Sequence, residues 1–171
     1  MPAFRIVLAK EDFKFSSAHF TIFGAGRAEL FHGHNYHVAV ELAGDAVDEW
    51  GLLADIASLK QAIRAACARL DSRTLIPVDS GEIAWSQEGD AVEVRFDERL
   101  YRFPAADILL LPLANTSMEL LARMLWEEIA PRLAGSRVEV LALSVEESAG
   151  QRCVYESRIS RPFQDESLPR R

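Results

Sequence analysis

Three histidines stand where one metal ion could collect them. His32 and His34 are two apart in FHGHNYHVAVEL, a run that alternates as a strand, so their rings leave one face about 7 Å apart along the chain. His19 ends a second alternating segment, FKFSSAH, and reaches the same edge if the two strands pair. Three neutral imidazoles with a fourth position open are the usual donor set of a catalytic zinc, which binds and acidifies a water or substrate oxygen. An H-x-H pair on a strand is more often a surface or packing pair than a ligand pair. Adding His19 turns the reading towards Zn2+ on His19, His32 and His34. Gly33, between the two ligands, fits a place where the backbone passes close to another group. His37 is an internal control, because its parity places it on the opposite face.

The elements that must position these rings are legible in the hydrophobic period. Phe4 to His19 reads as extended, with Phe13, Phe15, Ser17 and His19 on one side. A loop at Gly24-Ala25-Gly26 leads into a strand from about Phe31 to Leu42, which Gly44-Asp45 ends. The two strands could form an antiparallel pair joined by the loop Thr21–Leu30. From Asp55 to Leu70 the period is helical, with Asp55 as N-cap. EIAWSQ, AVEVRF and RLYRF follow as short strands of a hairpin or meander. Thr116-Ser117-Met118-Glu119 reads as a capping box opening a second helix, with Thr116 as the cap. Two strands close the chain, Arg137–Glu147 and Arg152–Ile159. The tail at 161–171 has little to bury and is expected to be mobile. The order predicts an α+β domain over residues 1–160, an antiparallel sheet with helices on one face.

The 171 residues carry a net charge of -7, which argues against a nucleic-acid binder, since phosphate contact needs a dense basic face. No apolar run approaches the roughly 18 residues of a membrane span. The N-terminus lacks the basic-then-apolar build of a secretion signal, so a cytoplasmic protein is expected. Cys67 and Cys153 are isolated thiols, neither a disulfide framework nor a zinc ribbon, and Cys67 falls on the apolar side of the first helix.

The segments FSSAHF, FHGHNYHVAVELAG, LDSRTL, NTSMELLARMLW and SVEESAGQRCVY resemble the 6-pyruvoyl-tetrahydropterin synthase and 6-carboxytetrahydropterin synthase family. The resemblance covers roughly residues 12 to 158, and the A-H followed by H-G-H-N-Y is its most specific part. It implies a tunnelling fold, a four-stranded antiparallel sheet carrying two helices. Subunits would join sheets into trimeric barrels stacked as hexamers, with sites between subunits. The stretch from Val78 to Leu111 exceeds the short members and reads as an inserted β-hairpin. By resemblance, zinc falls on His19, His32 and His34. Glu147 matches the pterin anchor, where a carboxylate accepts two parallel bonds from the 2-amino and ring N–H groups. Ser117 falls where the family has a Thr that helps hold the pterin.

Two departures bear on the chemistry. The family's nucleophile-like cysteine, four residues before the first His of H-G-H, is replaced by Ala28. Its L-D-H reads Leu70-Asp71-Ser72, so Asp71 keeps the acid of the dyad but Ser72 removes the imidazole. Glu29, three residues before His32, offers a substitute. A variant branch of the family carries Glu instead of the cysteine, and shortens the side chain of dihydroneopterin triphosphate to give 6-hydroxymethyl-dihydropterin. The resemblance therefore implies a zinc-dependent lyase acting on 7,8-dihydroneopterin triphosphate or a related reduced pterin. Glu29 is its candidate base and Asp71 a weaker candidate. The competing reading is an inactive zinc- and pterin-binding homologue serving as carrier, sensor or partner subunit. A purely structural oligomer explains neither the histidines nor Glu147.

Overall fold

The longest strand organises the molecule. A computed structural model describes residues 2–159; the tail expected at 161–171 lies outside the described residues. The chain runs β1 (Phe4–Leu8), β2 (Lys14–His19), β3 (Ile22–Gly24), β4 (Arg27–Ala28), β5 (His32–Gly44), α1 (Ile56–Leu70), β6 (Arg73–Pro77), β7 (Ile83–Glu88), β8 (Ala91–Phe96), β9 (Arg99–Pro104), β10 (Ile108–Leu111), α2 (Met118–Ile129), β11 (Val140–Ser148) and β12 (Gln151–Arg158). β5 pairs antiparallel with β1 and β2 on one side and β11 on the other, and β12 follows β11. This is the α+β sheet expected, with α1 against β2 and α2 against β11 and β12.

The structure adds three features. Phe4 to His19 is two strands, separated by a turn in which the Phe13 N–H donates to the Lys10 carbonyl at 3.0 Å. The sheet also continues beyond four strands, because β6 pairs parallel with β2, and β10 parallel with β6. The inserted element is a three-stranded meander, β7-β8-β9.

Alternation sets the core. Phe13, Phe15, Tyr36, Val38 and Leu42 are buried against Leu59, Ile63 and Leu70 of α1 and Leu121 and Leu125 of α2. At α1, Asp55 accepts from the Ala57 and Ser58 N–H groups, as a cap should. At α2 the expected capping box is absent. Ser117 is the cap residue and makes no side-chain capping bond. Thr116 is buried instead, its hydroxyl donating to the Phe20 carbonyl at 3.1 Å. The Gly33 expectation is also corrected. A Cβ there would lie 3.4 Å from the Ser17 carbonyl oxygen, an ordinary contact. The close approach is at Gly44, where a Cβ would run into the Arg137 carbonyl and sit 2.7 Å from Leu53 Cδ1.

A second apolar cluster lies under the meander. Phe96, Val92 and Val94 pack with Ile76, Ile83, Ile108 and Phe20, and Ile22, Ala28 and Phe31 lean on them. The loop between His19 and His32 is thus gripped by the insert.

Candidate metal centre

Register brings the histidines together. His19 ends β2 directly opposite His32, and His34 faces Ser17 one pair further along. Ring centroids are 4.9 Å apart for His19–His32, 5.4 Å for His19–His34 and 4.6 Å for His32–His34. His37 is exposed, as its parity required. Glu147 completes the group: one candidate ligand atom from each of the four residues lies within 4.8 Å of the others. A β-bulge delivers it, since the β11–β12 register shifts between Glu146 and Ser148.

Outer contacts orient two of the rings. His19 Nδ1 is 3.0 Å from the Thr116 carbonyl oxygen, and His32 Nδ1 is 2.7 Å from that of Leu30. A carbonyl only accepts, so each Nδ1 carries the proton and each Nε2 keeps a lone pair for a metal. The Tyr36 hydroxyl donates to His19 Nε2 at 2.9 Å. Burial, only partly offset by the Glu147 carboxylate, lowers the pKa of His19 and favours the neutral, ligating imidazole. Burial likewise raises the Tyr36 hydroxyl, which stays protonated.

His34 Nε2 tests whether the residues fit a metal. It is buried and makes no hydrogen bond, although Glu147 Oε1 is 2.5 Å away and off the donor direction. An orphaned buried nitrogen is costly. One cation beside the three Nε2 atoms would satisfy it, and the neutral-imidazole and carboxylate donors suit zinc.

Glu29 lies at the rim, with Oε2 4.0 Å from His32 Nε2. The same oxygen accepts from the Thr21 N–H at 2.9 Å, and the Glu29 N–H donates to the Thr21 carbonyl at 3.0 Å. Burial pushes the Glu29 carboxyl up, but the Thr21 bonds outweigh it and leave it below the ordinary value. It is a carboxylate at neutral pH, able to accept a proton. Ser117 is half-buried at the start of α2, next to the Thr116 carbonyl that orients His19.

Asp71 is not brought to the histidines. Its Oδ1 accepts from the Ser16 N–H at 2.7 Å, which ties the end of α1 to β2. Ser72 occupies the left-handed region at φ 57°. Ala28 is half-buried against the meander.

Sequence reasoning missed two contributors. Asn115 donates to the Ile22 carbonyl at 2.9 Å and accepts from the Ile22 N–H at 3.1 Å, pinning the loop after His19. Arg99 donates to the Glu29 carbonyl at 2.6 Å and the Ala28 carbonyl at 3.3 Å. A polar dipeptide ahead of the second helix hinted at the first. A lone arginine in a meander gave no signal.

Known proteins place this architecture. The family described as 6-pyruvoyl tetrahydropterin synthase matches residues 8–158. A Methanocaldococcus jannaschii protein, provisionally named a 6-carboxy-5,6,7,8-tetrahydropterin synthase, is 29% identical over 145 residues, covering 83% of this chain and 88% of its own. Plasmodium falciparum 6-pyruvoyl tetrahydropterin synthase superposes with a TM-score of 0.86 at 24% identity, covering 93% of this chain and 100% of that one. The Plasmodium vivax enzyme gives 0.82 at 28% identity, covering 91% and 98%. That protein has also been solved with a glutamate, described as a catalytic residue, changed to alanine and to cysteine. With its matched region spanning β2 through β12, this chain belongs to the 6-pyruvoyl tetrahydropterin synthase family.

Proposed function

We propose that the chain is a zinc-dependent lyase acting on 7,8-dihydroneopterin triphosphate or a closely related reduced pterin. The convergence of three histidines and Glu147 around the orphaned Nε2 of His34 carries this reading. His19, His32 and His34 would hold the metal. Zinc supplies Lewis acidity that lowers the pKa of an oxygen bound to it.

The remaining chemistry falls to the chain's own groups. Glu29, anionic and beside His32, would take the proton of a substrate side-chain hydroxyl and return it to carbon or solvent. A catalytic glutamate in the P. vivax relative supports that assignment. Glu147 would leave the histidines when substrate enters and accept the pterin 2-amino and ring N–H groups. Ser117 would flank the ring from the start of α2. Asp71, bonded to Ser16, is left a structural latch.

Among the described residues, β12 and β10 end the main sheet with one free edge each, which supports assembly of copies edge to edge. The proposed form is the family's hexamer of two trimers, and the proposed location is the cytoplasm. No helix among the described residues is long and apolar enough to cross a membrane.

One observation favours the competing, inactive reading. Glu147 lies within 4.8 Å of the ring nitrogens, and if it bound the metal as a fourth protein ligand the site would be closed, as structural zinc sites are. Anaerobic incubation of zinc-loaded protein with dihydroneopterin triphosphate, with products identified by mass, decides between them. A shortened or rearranged pterin is expected; unchanged substrate with tight pterin binding would favour the binder.

A further inference from the structure

The acid nearest His32 is not placed by the metal-bearing strands alone. Its main chain is held by the insert, from across the second apolar cluster. Arg99, the first residue of β9, sends both guanidinium nitrogens to the same loop, Nη1 to the Glu29 carbonyl at 2.6 Å and Nη2 to the Ala28 carbonyl at 3.3 Å. Its guanidinium also sits 5.6 Å from the centre of the Phe96 ring, which fixes its stem against the meander. A planar fork can bridge two consecutive carbonyls, which a single ammonium does less well.

The residues on either side are clamped too. Phe20, directly after His19, packs on Phe96 and Tyr101 with centroids at 5.7 and 5.9 Å. Phe31, directly before His32, packs on Tyr101 and Phe103 at 5.7 and 5.5 Å. The turn of β8–β9 also reaches the tip of the loop: a Cβ on Gly26 would lie 3.6 Å from the Asp97 carboxylate. Both ends, the tip and the two carbonyls flanking the Glu29 peptide therefore answer to one element.

We propose that the β7–β9 meander exists to position Glu29, with Arg99 as the positioning residue acting through the Ala28 and Glu29 carbonyls. This rests on the reading of Glu29 as the base. A carboxylate that must meet a substrate hydroxyl tolerates little displacement, since about 1 Å of misplacement can cost 10²-fold in rate. The Thr21 carbonyl holds only the Glu29 N–H, and the Thr21 N–H only the carboxylate; Arg99 holds the carbonyls on either side.

The test uses Arg99→Gln in the full-length zinc-loaded protein, with two readouts. Amide hydrogen exchange at Thr21 and Glu29, the reciprocal pair across the loop, should accelerate at least tenfold while the β2–β5 ladder keeps its rates. kcat should fall ten- to a hundredfold with KM little changed. No further loss should appear when Arg99→Gln is added to Glu29→Gln. Arg99→Lys, which keeps charge and stem, should lie between and serves if the glutamine variant does not fold. Wild-type exchange at Thr21 and Glu29 in the variant would overturn the proposal. So would unchanged kcat, or equal losses with and without the Glu29 carboxylate. If the wild type itself turns nothing over, the lyase reading fails, and the exchange rates alone decide whether Arg99 holds the loop.

Discussion

Glu147 Oε1 stands 2.5 Å from Nε2 of His34 and 3.5 Å from Nε2 of His19, so one carboxylate fills the space between ring nitrogens that would face a metal. His19 Nε2 also accepts from the Tyr36 hydroxyl at 2.9 Å, whereas His34 Nε2 makes no hydrogen bond. A pterin anchor and a fourth zinc ligand make opposite demands on this group. Glu147→Gln leaves one carbonyl acceptor in place of two carboxylate oxygens. Loss of a charge-assisted bond of about 1.5–3 kcal/mol should weaken a pterin analogue more than tenfold. Zinc content should stay unchanged, as read by titration calorimetry and metal analysis. Lost zinc with unaltered pterin affinity would make Glu147 a ligand instead.

Metal stoichiometry separates the two faces of β5. The protein should hold about one zinc per chain through imidazoles at about 2.0–2.1 Å, measurable by X-ray absorption. His34→Ala should strip it, and exposed His37→Ala should not. Equal losses would contradict the site.

The backbone approach at Gly44 gives a stability prediction. Gly44→Ala must push the Arg137 carbonyl and Leu53 aside, and overpacking of this kind costs about 1–3 kcal/mol. Gly33→Ala, with only an ordinary contact to Ser17, should cost much less. Denaturation midpoints of the two variants check the order.

The cysteines should behave unequally. Burial in α1 pushes the Cys67 thiol up to about 12, from an ordinary value of 9.0. Between these values the unfolded chain has lost a proton that the folded chain keeps. This group therefore costs stability as pH rises above about 9, by up to about 1.4 kcal/mol per unit. Cys67→Ala, though less stable at neutral pH, should show a shallower decline there. At pH 8 a thiol reagent should label half-buried Cys153 first and reach Cys67 only on unfolding.

Much of the site was legible because period 2 leaves little freedom. Once Phe13, Phe15 and Ser17 were given one face, His19 followed, and the spacing of His32 and His34 did the same on β5. What local pattern cannot encode is contact across the fold. Thr116 had the sequence of a cap, yet its carbonyl is bonded to His19 and its hydroxyl to Phe20. The parallel addition of β6 to β2 depends on a crossover through α1, and that of β10 to β6 on one through the meander, which alternation within each strand does not announce. Arg99 reaches Glu29 across 70 positions of sequence. Glu147 was identified by motif, but its closeness to the histidines depends on a bulge that no residue type marks.

The most direct test of Glu29 as the base of the proposed lyase is Glu29→Gln, assayed beside wild type for turnover of dihydroneopterin triphosphate, zinc content and pterin affinity. The amide is isosteric, so packing and metal should survive. Loss of a general base costs about 10²–10⁴ in rate, and a fall of that size with zinc and pterin binding intact is the expected result. Turnover by Glu29→Gln equal to wild type would contradict the assignment of Glu29 as the base, whatever the fate of the zinc site.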